Sequence, residues 1–261
     1  MASLYYQVPQ FSLRFIPVWQ RNFLVWRKLA FTSVVGNIAE PLITLVAFGY
    51  GLGSLLQHID GVPYIAYLAS GAICMSVMMA TTFEALYSAF SRMHVQKTWD
   101  ALLNTPLDLD DIVLAEMLWA ASKSLISGIA ILAVLLALGI GWYPGALLVP
   151  PLLFLVGITF ASLALVINAL AKGYDFFTYY FTLVLTPMIF LSGVYYPVTQ
   201  LPGWLQVVAA YLPLSAAVHV VRPLLLGQMP EQVLQPLLLL LAYCVTGFYL
   251  ATVLTRRRLL K

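Results

Sequence analysis

Residues 64–90 read YIAYLASGAICMSVMMATTFEALYSAF, and the single charged side chain in that stretch is Glu84. A helix rises about 1.5 Å per residue and needs about 20 apolar residues to cross a hydrocarbon core about 30 Å thick. The stretch is long enough to cross and holds no proline to break it. Working outward, the same kind of run recurs on both sides: 33–56 before it, then 117–138, 146–170, 176–194 and 233–255 after it. Between the third and fourth runs, Trp142-Tyr143-Pro144-Gly145 is a turn signal. The composition agrees, with 62% hydrophobic and 9% charged residues, against about 25% charged in soluble domains. A soluble fold could not cover so much apolar surface. The pattern predicts an all-α integral membrane protein with six transmembrane helices.

Charge fixes the expected orientation. Basic residues gather at the ends, as Arg14, Arg21, Arg27 and Lys28, then Arg256, Arg257, Arg258 and Lys261. Arg92, Lys97 and Lys172 fall in loops on the same predicted side, and Lys123 lies near the start of the third span there. The opposite side receives only Arg222. Cytoplasmic loops carry the excess of Lys and Arg, so both termini are expected in the cytoplasm of a multi-pass protein of the bacterial inner membrane. No signal-peptide pattern precedes the first span, so the N-terminus is expected to stay on. The apolar stretch 205–221 is short, with Pro213 inside it and Pro197, Pro202 and Gly203 before it. A seventh span there would put residues 256–258 outside. The expectation is instead re-entrant half-helices in the outer leaflet between the fifth and sixth spans, tolerated where they pack on protein or line a cavity.

The organisation that follows is an N-terminal segment 1–32, a transmembrane domain 33–255 with a cytoplasmic loop 91–116 and an outer re-entrant region 195–227, and a basic tail 256–261. Within the N-terminal segment, Phe11, Phe15, Val18, Trp19, Phe23 and Trp26 recur at mostly three- and four-residue steps with basic residues between them. That is the pattern of an amphipathic helix lying in the membrane interface, with Pro17 in its first turn or kinking it.

Chemistry-bearing motifs are sparse. GxxxxGK[ST], HExxH and GxSxG do not occur, and His58, His94 and His219 are far apart. Cys74 and Cys244 sit singly in apolar runs, with no metal or disulfide spacing. A nucleotide site within this chain, a metal centre and a membrane hydrolase are all unsupported, and a net charge of +3 gives no reason to expect nucleic acid. The informative loop runs Lys97-Thr98-Trp99-Asp100-Ala101-Leu102-Leu103-Asn104-Thr105-Pro106-Leu107-Asp108. Trp99, Leu102 and Leu103 share one face of a short helix that Thr105-Pro106 stops. Asp108 then caps the next helix, with Asp110 and Asp111 in its first turn, where the dipole favours negative charge.

The run from Thr98 to Leu107 resembles the cytoplasmic coupling segment of ABC-2 type permeases. The outer run Ser192-Gly193-Val194-Tyr195-Tyr196-Pro197-Val198, Leu201-Pro202-Gly203-Trp204, Leu212-Pro213-Leu214 and Arg222-Pro223-Leu224-Leu225-Leu226-Gly227 is similar to that family's second hallmark. Asn37-Ile38-Ala39-Glu40-Pro41-Leu42, Phe83-Glu84 and Tyr174-Asp175-Phe176-Phe177 resemble the nodulation-factor (lipo-oligosaccharide) exporter permease group. The resemblance implies an exporter subunit with no catalytic residues, metal or cofactor of its own. ATP and Mg would sit on a partner ATPase. Two copies of the permease would assemble with two ATPase subunits, and the helix at 99–103 would dock on the ATPase. Lys97, Trp99, Asp100, Leu102, Leu103, Thr105 and Pro106 are the coupling candidates. Gly193, Pro197, Pro202, Trp204, Pro213 and Arg222 are the outer-motif candidates. The implied cargo is amphipathic, lipid-linked or oligosaccharide-containing. A drug-like hydrophobic cargo, a membrane-embedded glycan or lipid transferase, and a scaffold subunit are the alternatives.

Two further groups stand out. Glu40 and Glu84 lie within apolar spans, where a carboxylate is costly and calls for a partner. Lys123, Arg92 or backbone donors near Pro41 are the candidates, for a pair that staples helices or touches cargo. The crowd at the start of the fifth span, with Tyr174, Phe177, Tyr180 and Phe181, is an interfacial aromatic belt or a track for sugar rings.

Overall fold

The computed structural model describes residues 5–10, 12–56, 58, 59, 61–230 and 232–259; Phe11 and Lys261, assigned above to the interfacial helix and the basic tail, lie outside them. After a first helix, α1 (Phe15–Arg27), come helices long and apolar enough to cross a membrane: α2 (Ala30–Ser54), α3 (Tyr64–Val95), α5 (Leu109–Ala137), α6 (Pro144–Leu170) and α10 (Leu234–Leu259). The short α4 (Thr98–Leu103) separates α3 from α5. A two-residue hairpin, β1 (His58–Ile59) against β2 (Val62–Pro63), joins α2 to α3.

The expected fifth span is the helix α7 (Asp175–Leu191), which is shorter than the five above. It ends three residues before the predicted boundary because Gly193 takes a positive φ of 73° and turns the chain. The stretch expected to form half-helices is a bent pair, α8 (Gly203–Ala210) and α9 (Pro213–Leu225), which meet at 83°. Pro202 precedes α8, and Pro213 opens α9, where its missing N–H costs no helical hydrogen bond.

The core forms where α3, α5, α6 and α10 pack together. Leu68, Ile73, Cys74, Val77 and Met78 of α3 are fully buried, as are Ile112 and Val113 of α5 and Val149 and Leu153 of α6. Small residues allow the close approach that membrane helices favour. A Cβ on Gly157 would stand 3.1 Å from the Ala121 Cα, and one on Gly247 would stand 2.5 Å from the Ser162 hydroxyl. By contrast, α2 buries only Pro41, Leu45 and Gly49 between Ala30 and Gly51. On α7, Phe176, Tyr179, Leu183, Val184 and Phe190 are exposed.

Candidate functional site

At the end of α3 away from β2, the helix passes through two π-helical turns, Glu84–Ser88 and Ser91–Val95. Such turns are rare and collect at functional positions. Lys97 then adopts a left-handed conformation, φ 50°, and α4 begins. Thr105 closes α4 by donating its hydroxyl to the Leu102 carbonyl at 2.6 Å. Asp108 and Asp111 form a capping box at the start of α5.

The apolar stripe of α4 faces the protein's own body. Trp99 is 1% exposed, and Leu102 and Leu103 are half-buried against the core. Lys97, Asp100, Thr105 and Pro106 make up the exposed side. The Trp99 indole N–H donates to Glu116 Oε1 at 3.3 Å. Glu116 accepts from Arg92 Nε at 2.9 Å and, through its other oxygen, from Arg92 Nη2 at 2.5 Å. Arg92 also donates to Glu84 Oε1 at 3.0 Å, which accepts the Trp119 indole N–H at 2.9 Å. The second Glu84 oxygen accepts from Lys123 at 2.7 Å and Ser88 at 2.9 Å. Two carboxylates therefore meet two cations, and every carboxylate oxygen has a donor. Unpaired charges at this depth would each cost several kcal/mol.

The N-terminal helix closes this cluster from the side. Trp19, Phe23 and Trp26 pack edge-on around Trp119, and the Trp19 indole donates to Ser122 at 3.2 Å. Arg21 lies near enough to sense the buried charges: burial and Arg92 lower its pKa, while Glu116 raises it. Arg21 also donates to the Thr98 hydroxyl, and Arg14 donates to the Pro106 carbonyl at 2.9 Å, so α1 holds both ends of the α4 loop. A second ion pair lies beside it, between Arg256 of α10 and Asp110 of α5. Arg256 also donates to the Gln7 carbonyl at 2.7 Å, and Asp110 accepts the Gln10 N–H at 2.9 Å. Asp111, besides capping, accepts from Ser12 at 2.7 Å.

Of the two intramembrane carboxylates read from sequence, Glu84 sits at the centre of this cluster, bonded to both cations named for it. Glu40 is exposed and makes no hydrogen bond or ion pair among the described residues. Glu116, Trp119 and Asp110 were not singled out as site residues. The available signal was the spacing of Glu116, Trp119 and Lys123, at i, i+3 and i+7 on one helical face.

The aromatic crowd packs onto α3. Tyr87 stacks on Tyr174 with centroids 6.0 Å apart and meets Phe177 edge-on at 5.3 Å; Phe83 lies 4.8 Å from Phe181. Phe177 and Tyr180 are buried, whereas Tyr174 is exposed and Phe181 half-buried. At the other end of the molecule, Arg222 ties the turn after α7 to α3. It donates to the Gly193 carbonyl at 2.7 Å and to the Ser70 hydroxyl at 3.0 Å, and its guanidinium lies 3.7 Å over the Tyr67 ring. Pro197 is buried beside this turn and Trp204 is exposed on α8.

Comparison with known proteins gives a consistent picture. The family model described as "ABC-2 type transporter" matches residues 14–226. Nodulation protein J of Rhizobium leguminosarum bv. trifolii is 47% identical over 254 residues, covering 97% of each chain. Nodulation protein J of Rhizobium meliloti (strain 1021) is 45% identical over 253 residues, again covering 97% of each. The inner membrane transport permease YadH of Escherichia coli (strain K12) is 24% identical over 189 residues, covering 72% of this chain and 73% of its own.

Proposed function

The chain belongs to the ABC-2 type transporter family, and from that membership we propose that it is the transmembrane permease subunit of an exporter driven by ATP bound, with Mg, to a separate ATPase. The cargo is an amphipathic, lipid-linked or oligosaccharide-containing molecule. Similarity to proteins named nodulation protein J supports that class, together with the lipo-oligosaccharide resemblance of the sequence. Two copies of the permease and two ATPase subunits form the working assembly in the bacterial inner membrane. Both termini and α4 lie in the cytoplasm, α1 rests in the membrane interface, and α8 and α9 dip into the outer leaflet. The open faces of α2 and α7 offer surface for the second copy.

One observation carries the mechanism: Trp99 of α4 is bonded to Glu116, and Glu116 through Arg92 to Glu84. A push on α4 therefore reaches α3 and α5 through hydrogen-bonded charges, beside the π-helical turns of α3. Binding and transmission then belong to different faces of α4. The exposed face with Lys97 and Asp100 docks on the ATPase, and the buried face with Trp99 passes the motion inward.

Two substitutions separate these roles. Asp100→Arg should weaken co-purification of the ATPase while changing permease stability by no more than about 0.5 kcal/mol, as for other surface positions. Trp99→Ala should leave the ATPase bound but reduce transport per ATP hydrolysed by about tenfold, within the range that site-to-site coupling free energies span. Wild-type assembly together with wild-type transport in both variants would remove the coupling role from α4.

A further inference from the structure

Two of the polar side chains buried on α6 bond back to their own helix: Thr159 donates to the Leu155 carbonyl and Ser162 to the Thr159 carbonyl. Asn168, 1% exposed near the end of that helix, bonds outward instead. Its carboxamide reaches α3 and donates to the Ala85 carbonyl at 2.8 Å, with the Leu86 carbonyl 3.5 Å away. Ala85 and Leu86 are buried and lie within the first π-helical turn of α3, Glu84–Ser88. In an α-helix the Ala85 carbonyl would accept the N–H of Ala89, four residues on. That N–H is directed at the Glu84 and Leu86 carbonyls. Asn168 therefore supplies the donor that Ala89 withholds, and a buried carbonyl left without one is costly.

The turn sets the geometry of the charged cluster. Glu84 opens it and Arg92 lies eight residues on, yet the two side chains are bonded at 3.0 Å. At about 100° per residue, eight α-helical steps would leave them about 80° apart around the axis. A π-turn takes in one residue more than the α-helical turn it replaces, so the spacing acts as seven steps and brings the pair to within about 20° of each other. On that shared face both meet α5, Arg92 at Glu116 and Glu84 at Trp119 and Lys123. The end of α6 is fixed in its turn from α10. Arg258 donates to the Asn168 carbonyl at 3.0 Å and to the Ala169 carbonyl at 2.9 Å, and it meets the His94 ring in the second π-turn.

We propose that Asn168 is a positioning residue for coupling: it holds the Glu84–Ser88 turn in its π form and so keeps Glu84 and Arg92 aligned on α5. It acts through the backbone of α3, since its carboxamide donates to carbonyls and not to the charged groups of the cluster. Without this donor the Ala85 carbonyl recovers the Ala89 N–H and the turn closes to the α form. Arg92 and α4 beyond it then rotate by about 100° relative to Glu84, and the bond between the two side chains is lost. The assignment rests on the reading of α4 as the place where the ATPase acts, and adds what sets the register of the link behind it.

The test uses the full permease with its ATPase in nanodiscs, in a Cys244→Ser background; Cys74 is fully buried and stays. Nitroxide labels on Gln96→Cys, beyond both π-turns, and on Ile129→Cys, exposed on α5, report the placement of the end of α3 against α5 by double electron–electron resonance. Asn168→Leu is similar in size and lacks the donor. It should add a second distance population absent from wild type and cut transport per ATP hydrolysed about tenfold, with the ATPase still bound. Leu165→Ala, a buried change on the same helix, should lower the melting temperature and leave both the distances and that ratio as in wild type. If Asn168→Leu is not recovered folded, Asn168→Ala is read by the same criteria. Wild-type distances, an unchanged transport ratio, or an equal shift in Leu165→Ala would each overturn the assignment. Trp99→Ala on the same preparation separates the two readings. A second distance population in Asn168→Leu beside wild-type coupling in Trp99→Ala rejects the role of α4 and keeps the hold of Asn168 on the turn. Wild-type distances in Asn168→Leu beside an uncoupled Trp99→Ala reject the role of Asn168 alone.

Discussion

Glu84 and Glu40 are both lone carboxylates in apolar helices, yet the fold surrounds them differently. Glu84 is 4% exposed and accepts from Arg92, Lys123, Trp119 and Ser88. Glu40 stands on the open side of α2 and has no such partner among the described residues. The difference shows that an intramembrane charge does not carry one meaning. Where helices converge, a carboxylate can be fully neutralised and serve as a joint between them. On a helix face that its own chain leaves bare, a carboxylate lacks such partners, and lipid is a poor neighbour for it.

The largest effect that would test this contrast is at the joint. Glu84→Ala leaves Arg92 and Lys123 facing Glu116 alone, two cations against one carboxylate in a buried site. Removing one member of a buried charge cluster costs about 3–5 kcal/mol. We expect the variant to insert but to lose thermal stability by that order, read from the melting of the purified protein or its yield in folded form. Stability within about 0.5 kcal/mol of wild type, the range of surface changes, would show that the cluster is not the joint described.

Next in size is the pair between Asp110 and Arg256, which pins the N-terminal segment and α10 to the start of α5. Here the exchange is one-to-one and nearer the helix ends, so water can replace part of what is lost. Arg256→Gln should cost about 2 kcal/mol, the size of a hydrogen bond to a charged group. It should also speed proteolysis within residues 5–14, whose contacts with Asp110 and Arg256 it weakens.

Much of this arrangement was legible in the sequence, and the gaps have identifiable physical causes. Unbroken apolar length gave the long helices, and Pro213 with its neighbours gave the bent pair. The partners of Glu84 could be named because Arg92 and Lys123 are the cations available near it. The direction in which Trp99 faces could not be read. A stripe at i, i+3 and i+4 shows that one face of a helix is apolar, but not whether a partner or the chain's own body covers it. Glu116 was missed because a carboxylate just before an apolar run looks like an ordinary flanking residue; only a periodicity shared with Trp119 and Lys123 places it inward. The early end of α7 was hidden because the apolar run continues through Val194, and Gly193 stops the helix by its backbone conformation rather than by polarity.

The smallest expected effect is also the one that best sharpens the contrast. Glu40→Gln keeps the size of the side chain and removes only its charge. Within the protomer no described hydrogen bond or ion pair is broken, so the stability of the isolated subunit should change by no more than about 0.5 kcal/mol, as for other substitutions away from buried networks. If a second copy covers the open face of α2, the charge is instead balanced across the interface. Its removal should then alter the fraction of dimer in detergent or nanodiscs and the rate of transport, while the melting of the monomer stays put. Measuring both quantities on one preparation separates the cases. A dimer fraction that responds while monomer melting does not assigns Glu40 to an interface between subunits. Monomer melting that falls as far as in a parallel Glu84→Gln variant would show that Glu40 is held within its own chain, and the distinction between the two carboxylates would be lost.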